Sequence, residues 1–157
     1  MDMVKSIHWQ WLPFAALGVD DLYAILALRQ EVFVVEQRCA YLDCDGRDQE
    51  ALHLIGWSIH GRTRRPLAYL RVLPPGGDGL PVRIGRLLTH TDIRQRGVAG
   101  DMLRLAIERL EKSFPGRPIA ISAQQYLLAF YERFGFCATS PPYLEDGIPH
   151  VDMIRSP

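Results

Sequence analysis

The stretch from Ile84 to Leu103 constrains this chain more than any other. It opens as a run of branched apolar residues, crosses a polar bend and tightens into Arg94-Gln-Arg-Gly97-Val-Ala99-Gly100. It leaves that loop as an amphipathic helix. A strand, a basic glycine-containing loop and a helix N-terminus together present unpaired backbone N–H groups, and the macrodipole adds roughly half a positive charge there. Such a terminus takes a phosphate or pyrophosphate. Gly97, Ala99 and Gly100 carry little or no side chain, so phosphate oxygens can approach the main chain. Arg94 and Arg96 add mobile positive charge. The loop is not a P-loop, which needs Gly-x4-Gly-Lys-Ser/Thr, nor the Gly-x-Gly-x-x-Gly of a dinucleotide fold. It reads Arg-x-x-Gly-x-Ala, starting five residues after Thr89.

A chain of 157 residues with 48% apolar residues can bury one proper core, so we expect a single domain over 1–157. No run of about 18 apolar residues is present, so no membrane contact is expected. The first residues lack a signal-peptide pattern, which points to the cytoplasm. Eighteen Lys and Arg balance eighteen Asp and Glu. That balance argues against nucleic acid as a partner, which needs a net basic surface. Cys39, Cys44 and Cys137 form an odd, irregular set, read as reduced thiols filling space. Asp43-x-Asp45-Gly46-x-Asp48 lacks the Glu and spacing of a calcium loop and reads as an acidic turn. His8, His60 and His90 have no metal-ligand spacing, and no metal is expected.

Hydrophobic periodicity gives the element order. A strand is expected at 7–12 and a helix from the cap Asp20 to about Glu36. Strands follow at 52–60 and 67–73, joined by a turn starting at Gly61. A third strand spans 82–89, and a helix runs from about Val98 to Lys112. A strand at 118–123, a helix at 126–134 closed by Gly135, and strands at 136–139 and 150–154 around a Pro-rich loop complete the chain. A three-strand meander followed by a βαβ unit fits a mixed α/β layer rather than a doubly wound sheet.

The C-terminal helix carries a second motif. Phe130-Tyr-Glu-Arg-Phe-Gly-Phe136 has Gln124 seven residues before Tyr131. With Arg94, Gly97 and Ala99 upstream, the pair resembles the GCN5-related N-acetyltransferases (GNATs). Leu28-Arg-Gln-Glu-Val-Phe-Val-Val-Glu-Gln37, Asp43-Cys-Asp-Gly46, Ile84-Gly-Arg86, Ala123-Gln124 and Tyr143-Leu-Glu-Asp-Gly-Ile-Pro-His150 resemble the ElaA-type subfamily, so the likeness covers nearly the whole chain. It implies a bacterial cytosolic enzyme with a mixed, mostly antiparallel sheet flanked by helices and splayed where CoA binds. The implied donor is acetyl-CoA. Its site would comprise Leu87, Leu88, Thr89, Arg94, Gln95, Arg96, Gly97, Val98, Ala99, Gly100 and Gln124. A small-molecule or peptide amine would be the acceptor, and the protein a monomer or homodimer.

Acyl transfer from a thioester to an amine needs a neutral amine, yet a lysine-like amine has a pKa near 10.4. It needs a fixed donor for the carbonyl oxygen, which gains negative charge. It needs help for a thiolate leaving group whose thiol has a pKa near 8.5. The resemblance gives the carbonyl a backbone N–H near Leu88 or Thr89 and makes Tyr131 the general acid at sulfur. The base stays open, because the strand before the Tyr131 helix has no acid. Glu36, His53 and His150 are the candidates. Arg29 and Glu36 lie seven apart on one helix and would either line the acceptor site or pair with other charges. Two other readings stay open. The Arg-x-Glu-Val-Phe-x-x-Glu string also resembles acyl-homoserine-lactone synthases, and the missing strand acid suits a non-catalytic CoA sensor.

Overall fold

The computed structural model describes residues 7–60 and 62–157. Residues 1–6, searched for a targeting pattern, and Gly61, where a turn was expected, lie outside the described residues. Four strands form an antiparallel meander: β1 (Ile7–Pro13), β2 (Leu52–His60), β3 (Thr63–Leu73) and β4 (Val82–Thr89), with the two central ones buried along most of their length. β5 (Ile119–Gln124) joins β4 in parallel. β6 (Phe136–Ala138), β7 (Tyr143–Glu145) and β8 (Ile148–Arg155) follow, with β8 antiparallel to β5, β6 and β7. The sheet order is β1-β2-β3-β4-β5-β8-β6, with β7 on β8.

Strand side chains alternate between faces, so the sheet carries a separate core on each side. On one face α2 (Val98–Ser113) buries Met102, Leu103, Ala106 and Leu110 against Leu54, Leu70, Val72, Val82 and Ile84. Asp101, Arg104, Glu108 and Lys112 point outward, as the 3.6-residue period requires. On the other face α1 (Val19–Arg29) and its continuation bury Ile25, Leu28, Val32 and Phe33 against Ile55, Trp57, Tyr69 and Leu88. Each fully buried side chain of this size contributes about 1.5–3 kcal/mol.

Four elements depart from the expectation. The first helix does not run uniformly to Glu36. It is α-helical to Arg29 and then widens into a π-helix over Gln30–Glu36, closed by a bond from Gln37 N–H to Val32 O. The Val-Phe-Val-Val run explains this, since β-branched residues crowd a tight α turn. β3 starts at Thr63, four residues early. Pro66 lacks an N–H and sits opposite a register shift at Gly56 and Trp57. The helix expected at 126–134 is a 3₁₀ turn, Gln125–Leu127, followed by α3 (Leu128–Glu132). Gly135 does end it in the left-handed region, at φ 85°. The Pro-rich loop contains β7, which pairs with β8 through an Asp146-Gly147 turn.

Candidate active site

β4 and β5 share only two residue pairs, Val82 with Ile119 and Arg83 with Ala120. Beyond these the strands part, and the opening is a cleft of about 930 Å³. β4 also carries an extra residue opposite β3. Tyr69 pairs with Leu88 and Arg71 with Gly85, leaving Arg86 and Leu87 opposite Leu70 alone. Arg86 takes φ 51° at this bulge. A bulge rotates the strand and re-aims the side chains beyond it. Leu87, Leu88 and Thr89 therefore reach the cleft wall from both sides of the sheet plane.

The basic loop closes one mouth of the cleft. Gln95 and Gly97 sit in the left-handed region, at φ 59° and 83°, and Gly97 is the N-cap of α2. The first α2 bond runs from Asp101 N–H to Gly97 O. The N–H groups of Val98, Ala99 and Gly100 precede it and have no partner within the helix. A Cβ at Gly97 would meet nothing within 4 Å, so the turn faces open space. Small residues, open space and unpaired N–H groups together fit a pyrophosphate. Arg94 is not a free charge here. Its Nε donates to Thr89 O at 3.0 Å, and its other nitrogens bind both oxygens of Glu36. That bond to Glu36 raises the Arg94 pKa against a smaller effect of burial.

α3 and β5 supply the opposite wall. Tyr131 is 6% exposed, stands edge-on to Phe130 and Phe136, and lines the cleft. Burial pushes its phenol well above the ordinary value near 10, so it stays protonated. Gln124 Nε2 donates to Gln37 Oε1 at 3.3 Å, joining β5 to the end of the π-helix. His150 lies beside Gln124 in the β5–β8 pairing. Its Nδ1 is 2.7 Å from Ile148 O, so it carries the proton and donates. Its Nε2 faces Glu145 at 3.5 Å.

The cleft thus unites Glu36, Leu87, Leu88, Thr89, Arg94, Gln95, Ala99, Gln124, Tyr131 and His150. Arg96, Gly97, Val98 and Gly100 stand at the loop without lining the cleft. Arg29 and His53 are absent from its walls. Arg29 was expected to line an acceptor site or pair with other charges, and it pairs. It is 1% exposed, bonded to Asp43 Oδ2 at 2.7 Å and to Asp48 Oδ1 at 2.6 Å. Arg71 binds Asp45 and Asp48, and Arg86 reaches Asp43 and Asp45. The acidic turn is therefore neutralised by three arginines. Burial works against the charge of Arg29, but the bond to Asp48 and the nearby carboxylates outweigh it and raise its pKa. His53 Nδ1 faces the Tyr69 hydroxyl at 2.7 Å and Nε2 faces Asp48 O at 3.0 Å. Burial lowers its pKa.

Sequence reasoning missed the wall formed by Gln37, Cys39 and Tyr41, and the hairpin tip carrying Glu145 and Asp146. The Asp146-Gly147 dipeptide, a strong hairpin signal, could have located the tip. Cys39 Sγ lies 3.5 Å from the Asp146 carbonyl, so the tip leans on this wall.

A splayed β4–β5 pair, a bulged β4, a phosphate-type loop and a buried tyrosine in one cleft define an acyl-CoA-dependent transferase scaffold. The chain belongs to the acetyltransferase (GNAT) domain family, whose profile matches residues 69–156. Within that family it is similar to protein ElaA of Escherichia coli K12. The two are 39% identical over 151 residues, covering 95% of this chain and 96% of ElaA. An acyl-CoA N-acyltransferase from Pseudomonas aeruginosa is 41% identical, with a TM-score of 0.88 over 96% of this chain and all of that one. A CoA-dependent acyl-homoserine lactone synthase, solved with S-adenosylmethionine and isopentyl-CoA, is 17% identical with a TM-score of 0.74. It covers 96% of this chain and 82% of its own, and shares the fold alone. Family and fold support N-acyl transfer from an acyl-CoA. Among the described residues no helix is long and apolar enough to cross a membrane.

Proposed function

We propose that the protein moves an acetyl group from acetyl-CoA to a primary amine by direct attack. The observation that carries this reading is the convergence of the Gly97 loop, Gln124, Tyr131 and His150 on the slit between β4 and β5. The α2 N-terminus and Gly97 would hold the pyrophosphate, and Gln124 the pantetheine amide. The donor supplies an activated thioester carbonyl. The nitrogen–carbon bond forms, the carbon–sulfur bond breaks, and the ammonium proton is released as CoA leaves as a thiol.

Two residues of the chain handle protons. His150, with Nδ1–H committed to Ile148 O, offers Nε2 to the acceptor ammonium, and Glu145 stabilises the imidazolium that results. Glu36 is less suited, because both its oxygens are engaged by Arg94. His53 is buried behind the acidic turn with both ring nitrogens occupied. Tyr131 donates to the departing sulfur. Its raised pKa exceeds that of a thiol, so the hydrogen bond in the transition state does more than a completed transfer. With acetyl-CoA and a panel of amines, CoA thiol should be released, and Tyr131→Phe should lower kcat about 100-fold. Absence of release with every amine would sink the transferase reading. Binding of S-adenosylmethionine but not CoA, read by calorimetry, would move the protein to the lactone-synthase class.

A further inference from the structure

The cleft has an unbalanced charge at a defined place. Arg29, Arg71 and Arg86 are matched by Asp43, Asp45 and Asp48, and Arg47 is matched by Glu50. Arg83 is different. It lines the cleft, is exposed, and has no hydrogen-bond or ion-pair partner among the described residues. It also lines an adjoining pocket of about 450 Å³, walled by Pro74, Pro75, Leu80 and Pro81, and Arg47 and Leu73 line both. The two cavities therefore meet at Arg83. Two positions along β4 is Gly85, on the same face of the strand. A Cβ there would meet nothing within 4 Å, so the floor between Arg83 and the bulge is open. At the hairpin tip stand Glu145 and Asp146, and the Asp146 carboxylate has no partner among the described residues. The cleft thus offers an unmatched cation at one place and carboxylates at another. A guanidinium with free N–H groups is the side chain best shaped for a carboxylate.

We propose that Arg83 binds a carboxylate on the acceptor, so that the protein acylates the distal amine of an ω-amino acid of lysine-like length. The inference rests on the transferase reading above. Distance selects the length. Arg83 and Leu88 are five positions apart on β4, about 16 Å at ~3.3 Å per residue, shortened by the bulge. The Arg83 stem narrows this gap without closing it. An α-amino group, adjacent to its own carboxylate, cannot reach the transfer point while the carboxylate stays on Arg83. A distal amine on a chain of several methylenes can. The carboxylates at the hairpin tip attract the ammonium end. The reaction is the amide formation given above, and the carboxylate takes no part in it.

The test compares three acceptors with acetyl-CoA: ω-aminohexanoate, its carboxamide and glycine. The expected kcat/KM for the acid exceeds that for the amide by roughly 10- to 100-fold, mainly through KM, the range of a charge-assisted hydrogen bond. Glycine should be used no better than the amide. Arg83→Gln should bring the acid-to-amide ratio close to one, and Arg83→Lys should restore part of it. Equal use of acid and amide by the unmodified protein would overturn the carboxylate site and leave acyl transfer standing. So would an unchanged ratio in Arg83→Gln. Failure to release thiol with any of the three, while another amine of the panel does release it, would overturn this proposal alone; failure with every amine would overturn the transferase reading and this one with it.

Discussion

A single proton on His150 decides what that residue can do. With Nδ1–H donating to the Ile148 carbonyl, the second nitrogen is the one left to accept a proton, and it faces Glu145. Replacing His150 by Asn keeps polarity but removes the proton-accepting ring nitrogen. We expect kcat to fall about 100-fold near neutral pH and much less near pH 10, where an amine of pKa near 10.4 is increasingly neutral unaided. A pH-rate profile of the variant checks this; an equal loss at every pH would assign His150 a packing role instead. His150 was one of three candidate bases in the sequence, which left the base open. The ranking came from partners: Glu36 meets Arg94, and His53 meets Tyr69 and Asp48. All of these lie far apart along the chain except Asp48, and a linear pattern carries no record of such meetings.

At the scale of elements, α2 and its loop are where sequence and structure agree most closely. The 3.6-residue period set the buried face, and Gly97 marked the turn. Gly97→Glu should weaken CoA binding by about 100-fold in calorimetry, since it sets a carboxylate where a pyrophosphate would lie. The left-handed φ of 83° adds a folding cost of about 1–2 kcal/mol for any residue with a Cβ. Gly97→Asn tolerates that conformation without the charge, and should keep most of the binding while melting lower. Equal binding losses in both variants would make the effect conformational. The π-helix, the β4 bulge and β7 were illegible for physical reasons. A β-branched run is compatible with helix or strand. A bulge adds one residue to a register that only the partner strand defines. A strand of three residues, Tyr143–Glu145, is too short to show a period.

For the whole molecule, the three-arginine, three-aspartate cluster ties α1, the acidic turn, β3 and β4 together, with His53 packed against it. Its effect on stability depends on pH. The hydrogen bond from Arg71 holds Asp45 well below the usual carboxylate range. Burial opposes ionisation of Asp48, but its bonds to Arg29 and Arg71 prevail and hold it low too. Groups with depressed pKa values stabilise the fold above their unfolded values, near 4, and lose that contribution as pH falls further. His53 has the same sign at higher pH. Burial keeps it neutral when folded, whereas the unfolded chain takes up a proton below about pH 6.5. Urea midpoints should therefore decline in two stages, from about pH 6.5 and again from about pH 4. His53→Gln should remove the first stage and spare the second. A single acid transition in the unmodified protein would contradict this coupling. The cluster was only half legible: the acidic turn was visible at 43–48, but nothing local tied it to arginines at 29, 71 and 86.

The parting of β4 from β5 has a mechanical side. The sheet is two blocks, β1 to β4 and β5 to β8, laced by two residue pairs at one end and unlaced along the rest. Beyond those two pairs, β4 and β5 share no ladder among the described residues. A molecule lying in the seam with amides of its own would act as a missing rung, so that the reactant completes the sheet that holds it, and its departure unlaces the seam again.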